Sequence, residues 1–527
     1  MRRHLAVPLA ALTIAAGGAV FVPTATADPV QAPRTNECGE PLRVVPDSGP
    51  GAPHVGPPGM PHLPDIDIKV PYPKIVPVPE PGPKPDNTRF PSPPPPVNPC
   101  EDPCPDLTNP APPAGGSGPL GSLGSTGTGS AGSSFSDSGS ASSTGSASSA
   151  LPFPKLTLRT SPITIPVPVP GGDNFPTTPR PPQAHPPVQA DAPVPAPAVP
   201  HVSDLSEVSK VTGPGSISRT DKRFQVNATD LGIMWQAAPG KVAVVFGDTF
   251  GKGWHPEGAN GTDWRSNTLG FSSTPAKDLS KGMAIDSMVQ DKRCHAAQVL
   301  ASRHVDNYEI TTIPTSGFAL GNRQYMSYMS VKSWGVPGTW TTNYGGIAYS
   351  DDGGSVWTKD PWAKWDNIFG MSQFQVSAMV PEGGYVYMFG TPNGRLGTVA
   401  LARVPQDQLL NKTAYQYWKS GTWTPVTNGF DGTPLFSGPV GELSMRYDAD
   451  SKTWQAGYLD VATNSIVLRE AKSPQGAWSG PATLVSGNQY PSLYGGFLHP
   501  WSTGKDLYFT ISQWNEYNVY LMHVKLD

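Results

Sequence analysis

From about residue 203 the chain runs in short segments in which apolar and polar residues alternate, or β-branched residues cluster, each ended by Gly, Pro or Asn. Helical periodicity is almost absent, so the pattern predicts strands and little else. One strand type recurs at residues 243–248, 325–330, 385–390, 454–459 and 507–512, and the strand that follows it recurs at 267–272, 346–350, 397–401, 465–469 and 518–522. Five copies of a four-strand unit predict an all-β fold, a five-bladed β-propeller over about residues 205–527, with a β-sandwich as the alternative. The last copy ends at Asp527 after its third strand, which leaves a sheet edge to be covered. Residues 208–212, Val-Ser-Lys-Val-Thr, precede the first inner strand and are expected to supply the missing outer strand.

Before residue 203 the pattern is lost. The first 200 residues hold 47 of the 64 prolines, whereas all 14 tryptophans lie between Trp235 and Trp514. Residues 28–202, Pro-rich with a Gly/Ser/Ala block at about 115–150, cannot build a core, and a disordered linker dispensable for folding is expected there. Residues 1–27 read as an export signal: Arg2 and Arg3, an apolar run from Leu5 to Val22, and Ala25-Thr-Ala27 as a small-x-small cleavage site before Asp28. The expected divisions are therefore 1–27, 28–202 and 203–527. A secreted or extracellular location follows, with cell-wall association suggested by the long spacer; an uncleaved anchor is the alternative. No later run reaches the length of a membrane span, and none is expected in the mature chain.

The formal charge of −4, with 37 Lys and Arg against 41 Asp and Glu, comes without any basic stripe, so nucleic acid is excluded as a partner. Four cysteines, Cys38, Cys100, Cys104 and Cys294, permit two disulfides in any of three pairings. A zinc site at Cys100 and Cys104 lacks a second Cys/His pair, and neither metal nor cofactor is expected. The chain contains no G-x-S-x-G elbow, no H-E-x-x-H and no phosphate-binding loop. A monomer is expected.

The candidate chemistry lies in the first unit. Asp230 heads the expected inner strand 230–235, Asp248 ends the next, and the turn at residues 237–240 is centred midway between them at Pro239. A regular hairpin would set the two carboxylates opposite each other at the funnel mouth. Like charges so placed are unfavourable, and the pair is expected to titrate in two separated steps, as glycoside hydrolysis by acid and base requires. Either aspartate could instead cap a turn, and a one-residue slip would turn one away. Matching positions in the other units are read as Ser316, Gln375, Glu442 and Gly495, which makes Glu442 the candidate further carboxylate. Gln375, Arg446 and His499 are candidates for binding hydroxyls. Trp235, Trp254, Trp264 and Trp501, with Trp514, are candidate platforms for sugar faces or, in part, packing between blades.

Ser350-x-Asp352-x-Gly354-x-x-Trp357 matches the Asp-box of sialidases and other propellers, a turn motif and not an active site. Together with Asp230-Leu-Gly-Ile-Met-Trp235, Phe246-Gly-Asp-Thr-Phe250 and Trp264-Arg-Ser-Asn-Thr268, the segment 345–357 resembles domain-of-unknown-function family 4185, also classed as glycoside hydrolase family 183. The resemblance covers about residues 205–527. It implies a five-bladed propeller with endo-D-arabinanase activity on the D-arabinan of arabinogalactan and lipoarabinomannan, with its essential aspartates at Asp230 and Asp248. A non-catalytic, polysaccharide-binding propeller of the cell envelope is the alternative of a different class.

Overall fold

The computed structural model describes residues 35–42, 66–80, 89–92, 98, 100–105, 156–171, 178–190, 194–425 and 432–527. The expected export signal and the Gly/Ser/Ala block lie outside the described residues. Within them, five antiparallel sheets follow one another, each a meander in which a strand pairs with the next in sequence. The first sheet contains Ile233–Ala238, Lys241–Phe246, Thr268–Ser272 and Ser287–Met288. The second contains Thr311–Leu320, Arg323–Trp334, Trp340–Ser350 and Thr358–Asp366. The third starts with Val376–Glu382, the fourth with Val440–Asp448 and the fifth with Leu493–Leu498. These five leading strands touch in a cycle, first against second, onward to the fifth, and fifth against first.

Both faces of most strands are covered, so the sheets bury long apolar runs where a half-exposed sheet would alternate. Trp235 and Trp357 meet edge to face with ring centroids 6.4 Å apart, tying the first sheet to the second. Gly317 in the second leading strand makes that contact possible, because a Cβ there would lie 2.3 Å from the Trp235 ring. The Asp-box turn forms as expected. Asp352 accepts from Ser350 Oγ at 2.7 Å and from the backbone N–H groups of Ser355 and Val356, while Trp357, 1% exposed, donates to the Gly354 carbonyl.

The fifth sheet is completed by a strand that precedes the first sheet in the chain. Val202–Lys210 pairs antiparallel with Asn518–Leu526, with Ser209 opposite Leu521 and Ser203 opposite Lys525. The expected covering strand is therefore present, beginning at residue 202 where residues 208–212 were expected. In the first sheet, residues 230–232 do not join the strand: Leu231 (φ 69°) and Gly232 (φ 72°) take left-handed conformations, and the ladder starts at Ile233, opposite Val245. Residues between the second and third strands of this sheet form an insert. Two strands of the insert, Thr249–Phe250 and Trp264–Arg265, make a small three-stranded sheet with Ala228–Thr229, which precedes the first leading strand.

Described parts of residues 28–202 are attached to the sheets, where composition predicts a structureless linker. Cys104 is bonded to Cys294 and Cys38 to Cys100, which selects one of the three pairings and leaves no thiol for zinc. Arg180 pairs with Asp360 at 2.8 Å, Val188–Gln189 adds a strand to the third sheet, and Arg303 reaches Glu80 at 3.1 Å. Composition says nothing of cross-links and polar contacts that fasten a segment to a neighbouring core. Among the described residues no helix is long and apolar enough to cross a membrane.

Candidate active site

Asp230 and Asp248 come together just beyond the end of the first hairpin ladder. They are not ladder partners, as a regular hairpin would have made them, because the left-handed pair at 231–232 turns the chain between Asp230 and the start of the ladder at Ile233. The Asp230 carbonyl instead accepts the Gly247 N–H at 3.2 Å, and Gly232 N–H closes onto the same carbonyl at 3.1 Å. The fifth sheet holds this turn: Ser512 Oγ accepts from Leu231 N–H and Thr510 Oγ1 donates to the Gly232 carbonyl. Gly247 has no side chain for a local reason. A Cβ on it would lie 2.4 Å from Asp230 Oδ1.

Each aspartate is fixed by a neighbouring sheet. Tyr494, in the fifth leading strand, donates its hydroxyl to Asp230 Oδ2 at 3.0 Å, and the Tyr517 hydroxyl faces the same carboxyl. Asp230 Oδ1 is buried without a hydrogen-bond partner, although the residue as a whole keeps some exposed surface. On Asp248, Oδ1 accepts from Trp264 Nε1 at 2.8 Å and from Thr311 Oγ1, at the head of the second leading strand, also at 2.8 Å. The turn-capping alternative for Asp248 is thereby replaced by two side-chain donors.

Burial, and next the charge of Asp248, push the Asp230 carboxyl up to about 8, against the opposing hydrogen bonds of Tyr494 and Tyr517. Burial pushes Asp248 up to about 6, held there by the Trp264 and Thr311 donors. At neutral pH one carboxyl therefore carries a proton and its neighbour a charge, the arrangement of an acid and a base side by side. Burial also raises Tyr494 and Tyr517 well above the usual phenol range, so both remain donors.

Glu442 lies in the leading strand of the fourth sheet, near enough for its charge to act on Asp230. Arg395 Nε donates to its Oε1 at 2.8 Å, while Oε2 is buried and unpartnered. The same guanidinium stands 5.3 Å from the centre of the Tyr494 ring. Glu442 thus belongs to the site wall as half of an ion pair. Trp264 is stacked on Phe250 and meets His304 edge to face at 4.4 Å, and Trp254 packs on the same small cluster. Behind them His295 lies between Asp263 (3.1 Å) and Asp291 (2.7 Å), joining the insert to the hairpin that carries Cys294. No group of three or more His, Cys, Asp or Glu among the described residues is arranged to hold a metal ion.

The remaining sequence candidates fall elsewhere. Trp235 is buried, with its indole N–H on Gln324. Gln375 is fully buried, donating to the Trp365 carbonyl and accepting from Thr342 Oγ1. Arg446 donates to Gln455 and to the carbonyls of His499 and Ser502, and Trp501 donates to Gln236. These contacts join the tails of the leading strands, whereas Asp230, Thr311 and Tyr494 join their heads. Arg446, His499 and Trp501 therefore belong to the opposite mouth. His499, pushed down to about 3 by burial and by Arg446, is a neutral acceptor for the Trp501 N–H. Ser316 is a mid-strand packing group bonded to Ser327. Sequence reasoning missed Tyr494, Tyr517, Thr311, Arg395 and His304. Tyr494 directly precedes Gly495, the position matched to Asp230, and a shift of one residue would have found it.

Comparison with known proteins adds two kinds of likeness. Notoamide biosynthesis cluster protein J of Aspergillus sp. (strain MF297-2) is 34% identical over 318 residues, spanning 57% of this chain and 83% of that protein. An uncharacterized 35.9 kDa protein of Mycolicibacterium smegmatis is 29% identical over 150 residues, 25% of this chain and 43% of that one. Among solved structures, the exo-β-1,3-galactanase of Phanerochaete chrysosporium aligns with a TM-score of 0.40 and 9% identity, covering 61% of this chain and 64% of that one. A GH43_1 enzyme from Xanthomonas citri aligns with a TM-score of 0.35 and 12% identity, covering 57% and 87%. With its residues 215–523 matching the family model described as domain of unknown function (DUF4185), the chain belongs to that family.

Proposed function

We propose that this chain is a secreted, endo-acting glycoside hydrolase that cleaves D-arabinofuranosyl linkages in D-arabinan, its five sheets being the blades of a propeller. The observation that carries the reading is the split pair at the heads of the leading strands: Asp230 pushed up to about 8, Asp248 to about 6. Asp230 is the general acid and delivers its proton to the departing glycosidic oxygen as the bond from that oxygen to the anomeric carbon breaks. Asp248 is the partner that completes substitution at that carbon, with Trp264 and Thr311 fixing its orientation. The choice of D-arabinan rests on the sequence resemblance to the hydrolase family.

The test is a product profile after incubation with purified mycobacterial-type arabinogalactan, for the wild type and for Asp230→Asn and Asp248→Asn. Release of oligosaccharides by the wild type, with kcat lowered at least about 10²-fold in each variant, is expected. Binding without cleavage by the wild type would replace the hydrolase with the envelope-binding alternative. Wild-type rates in both variants would move the catalytic site away from this pair.

A further inference from the structure

A cavity lies beyond the tail of the fifth leading strand, at the seam between the fifth sheet and the short helical turn Ala276–Lys281. Its volume is about 620 Å³, and Trp501, Tyr508, Asp506, His523, Lys277 and Ser280 line it. Small-molecule sites commonly occupy about 300–1,000 Å³, so the space suits a ligand larger than a few waters. Trp501 lies seven residues beyond the head-end Tyr494, past the tail of the fifth leading strand, and the strand from Tyr494 to Leu498 puts roughly 13 Å between it and the tyrosine that holds Asp230. The cavity is thus not a part of the carboxylate site.

The chemistry of the lining is specific. Trp501 is half-exposed, and its indole N–H is engaged by Gln236 at 2.8 Å, so what it offers to the cavity is ring carbon. Tyr508 is packed beside His523 with ring centroids 4.6 Å apart, and His523 Nε2 bonds Asp506 at 2.7 Å, which fixes the second ring wall. Around these rings stand hydroxyls from Ser206, Ser280 and Thr503, a carboxylate from Asp506 and an ammonium from Lys277. Rings that present carbon, ringed by groups that both donate and accept, match a ligand with C–H faces and many hydroxyls. One acidic and one basic side chain at the same rim favour a neutral ligand over an anion or a cation. The geometry points to a second glycan-binding site, which holds a neutral polysaccharide segment away from the carboxylates. It deepens the proposed function by anchoring the polymer, and rests on that reading only for the choice of probe.

The experiment is affinity electrophoresis of the full chain through gels containing purified arabinogalactan, in an Asp248→Asn background so that the polymer is not consumed. Two further changes are compared, Trp501→Ala and Ser280→Trp, the second placing a bulky ring in the cavity from an exposed position. Each is expected to raise the apparent Kd for the polymer about tenfold, with thermal unfolding unchanged in Ser280→Trp and lowered in Trp501→Ala, which also loses the Gln236 bond and its packing on the core. Retardation equal to that of the parent in both variants overturns the site, as does a parent that the polymer does not retard. Because hydrolysis is read separately on the wild type, cleavage with unaltered retardation removes this site and keeps the enzyme. Altered retardation without cleavage keeps the site and removes the enzyme.

Discussion

Gly247 sits between two carboxyls that must differ in charge while lying side by side, and its missing side chain is what lets Asp230 approach. In Gly247→Ala the new methyl group meets Asp230 Oδ1, a buried atom without a hydrogen-bond partner. The fold survives a change of one methyl, but the carboxyl is displaced, and misplacements of about 1 Å can cost about 10²-fold. A fall in kcat of at least tenfold with a normal unfolding transition is expected; unchanged kcat would mean that Asp230 need not lie where it does. The two titrations give a second expectation. Asp248 must be ionised and Asp230 protonated, so activity rises with pH through about 6 and falls again through about 8. The sign follows from burial raising both groups: below the lower value Asp248 gains a proton, and above the upper one Asp230 loses its own. A profile of kcat/KM that is flat from about pH 5 to about pH 9 would exclude this acid–base assignment.

At the scale of elements, local patterns were legible and distant pairings were not. Asp352 shows what a local motif specifies: a carboxylate, a hydroxyl and two backbone N–H groups within seven residues, all readable from spacing. Asp352→Ala removes those acceptors at an exposed turn far from the carboxylate pair. It is expected to lower stability by about 1 kcal/mol in denaturant unfolding, with kcat unchanged. An altered kcat would give the turn a role in the site. Asp230 and Asp248 were legible for a related reason, since a hairpin turn relates two nearby positions in sequence. What bends the chain just after Asp230 is a left-handed Leu231, an uncommon conformation for a residue with a branched side chain, and alternation carries no sign of it. Tyr494 and Thr311 reach the pair from two other sheets and Arg395 reaches Glu442 from a loop of the third, and matching repeats fails by a residue or more wherever a bulge intervenes. Such bulges occur at Pro314/Ser316 and Gly495/Phe497. Trp501 and His499 illustrate the converse. Aromatic and polar residues at strand ends look alike in sequence whichever mouth they face.

For the molecule as a whole, the cycle of sheets depends on a strand that precedes all five leading strands. Val202–Lys210 covers the edge of Asn518–Leu526, and both Lys210 and Val211 are buried in doing so. Upstream of it, the bond between Cys104 and Cys294 closes a loop of 190 residues. In the chain-entropy account a loop of that size restricts the unfolded ensemble by about 5 kcal/mol at most. Two shortened chains separate these contributions. One that begins at residue 194 keeps the covering strand and loses the cross-link, and is expected to unfold cooperatively but at a lower temperature than the full chain. One that begins at residue 211 exposes the backbone donors and acceptors of Asn518–Leu526 along an open edge, where another chain can add. Its cooperative transition is expected to be lost, with association visible by light scattering. Calorimetry of the two reads the difference directly: if the chain from residue 211 unfolds as a monomer at the same temperature as the chain from residue 194, the covering strand does not close the structure.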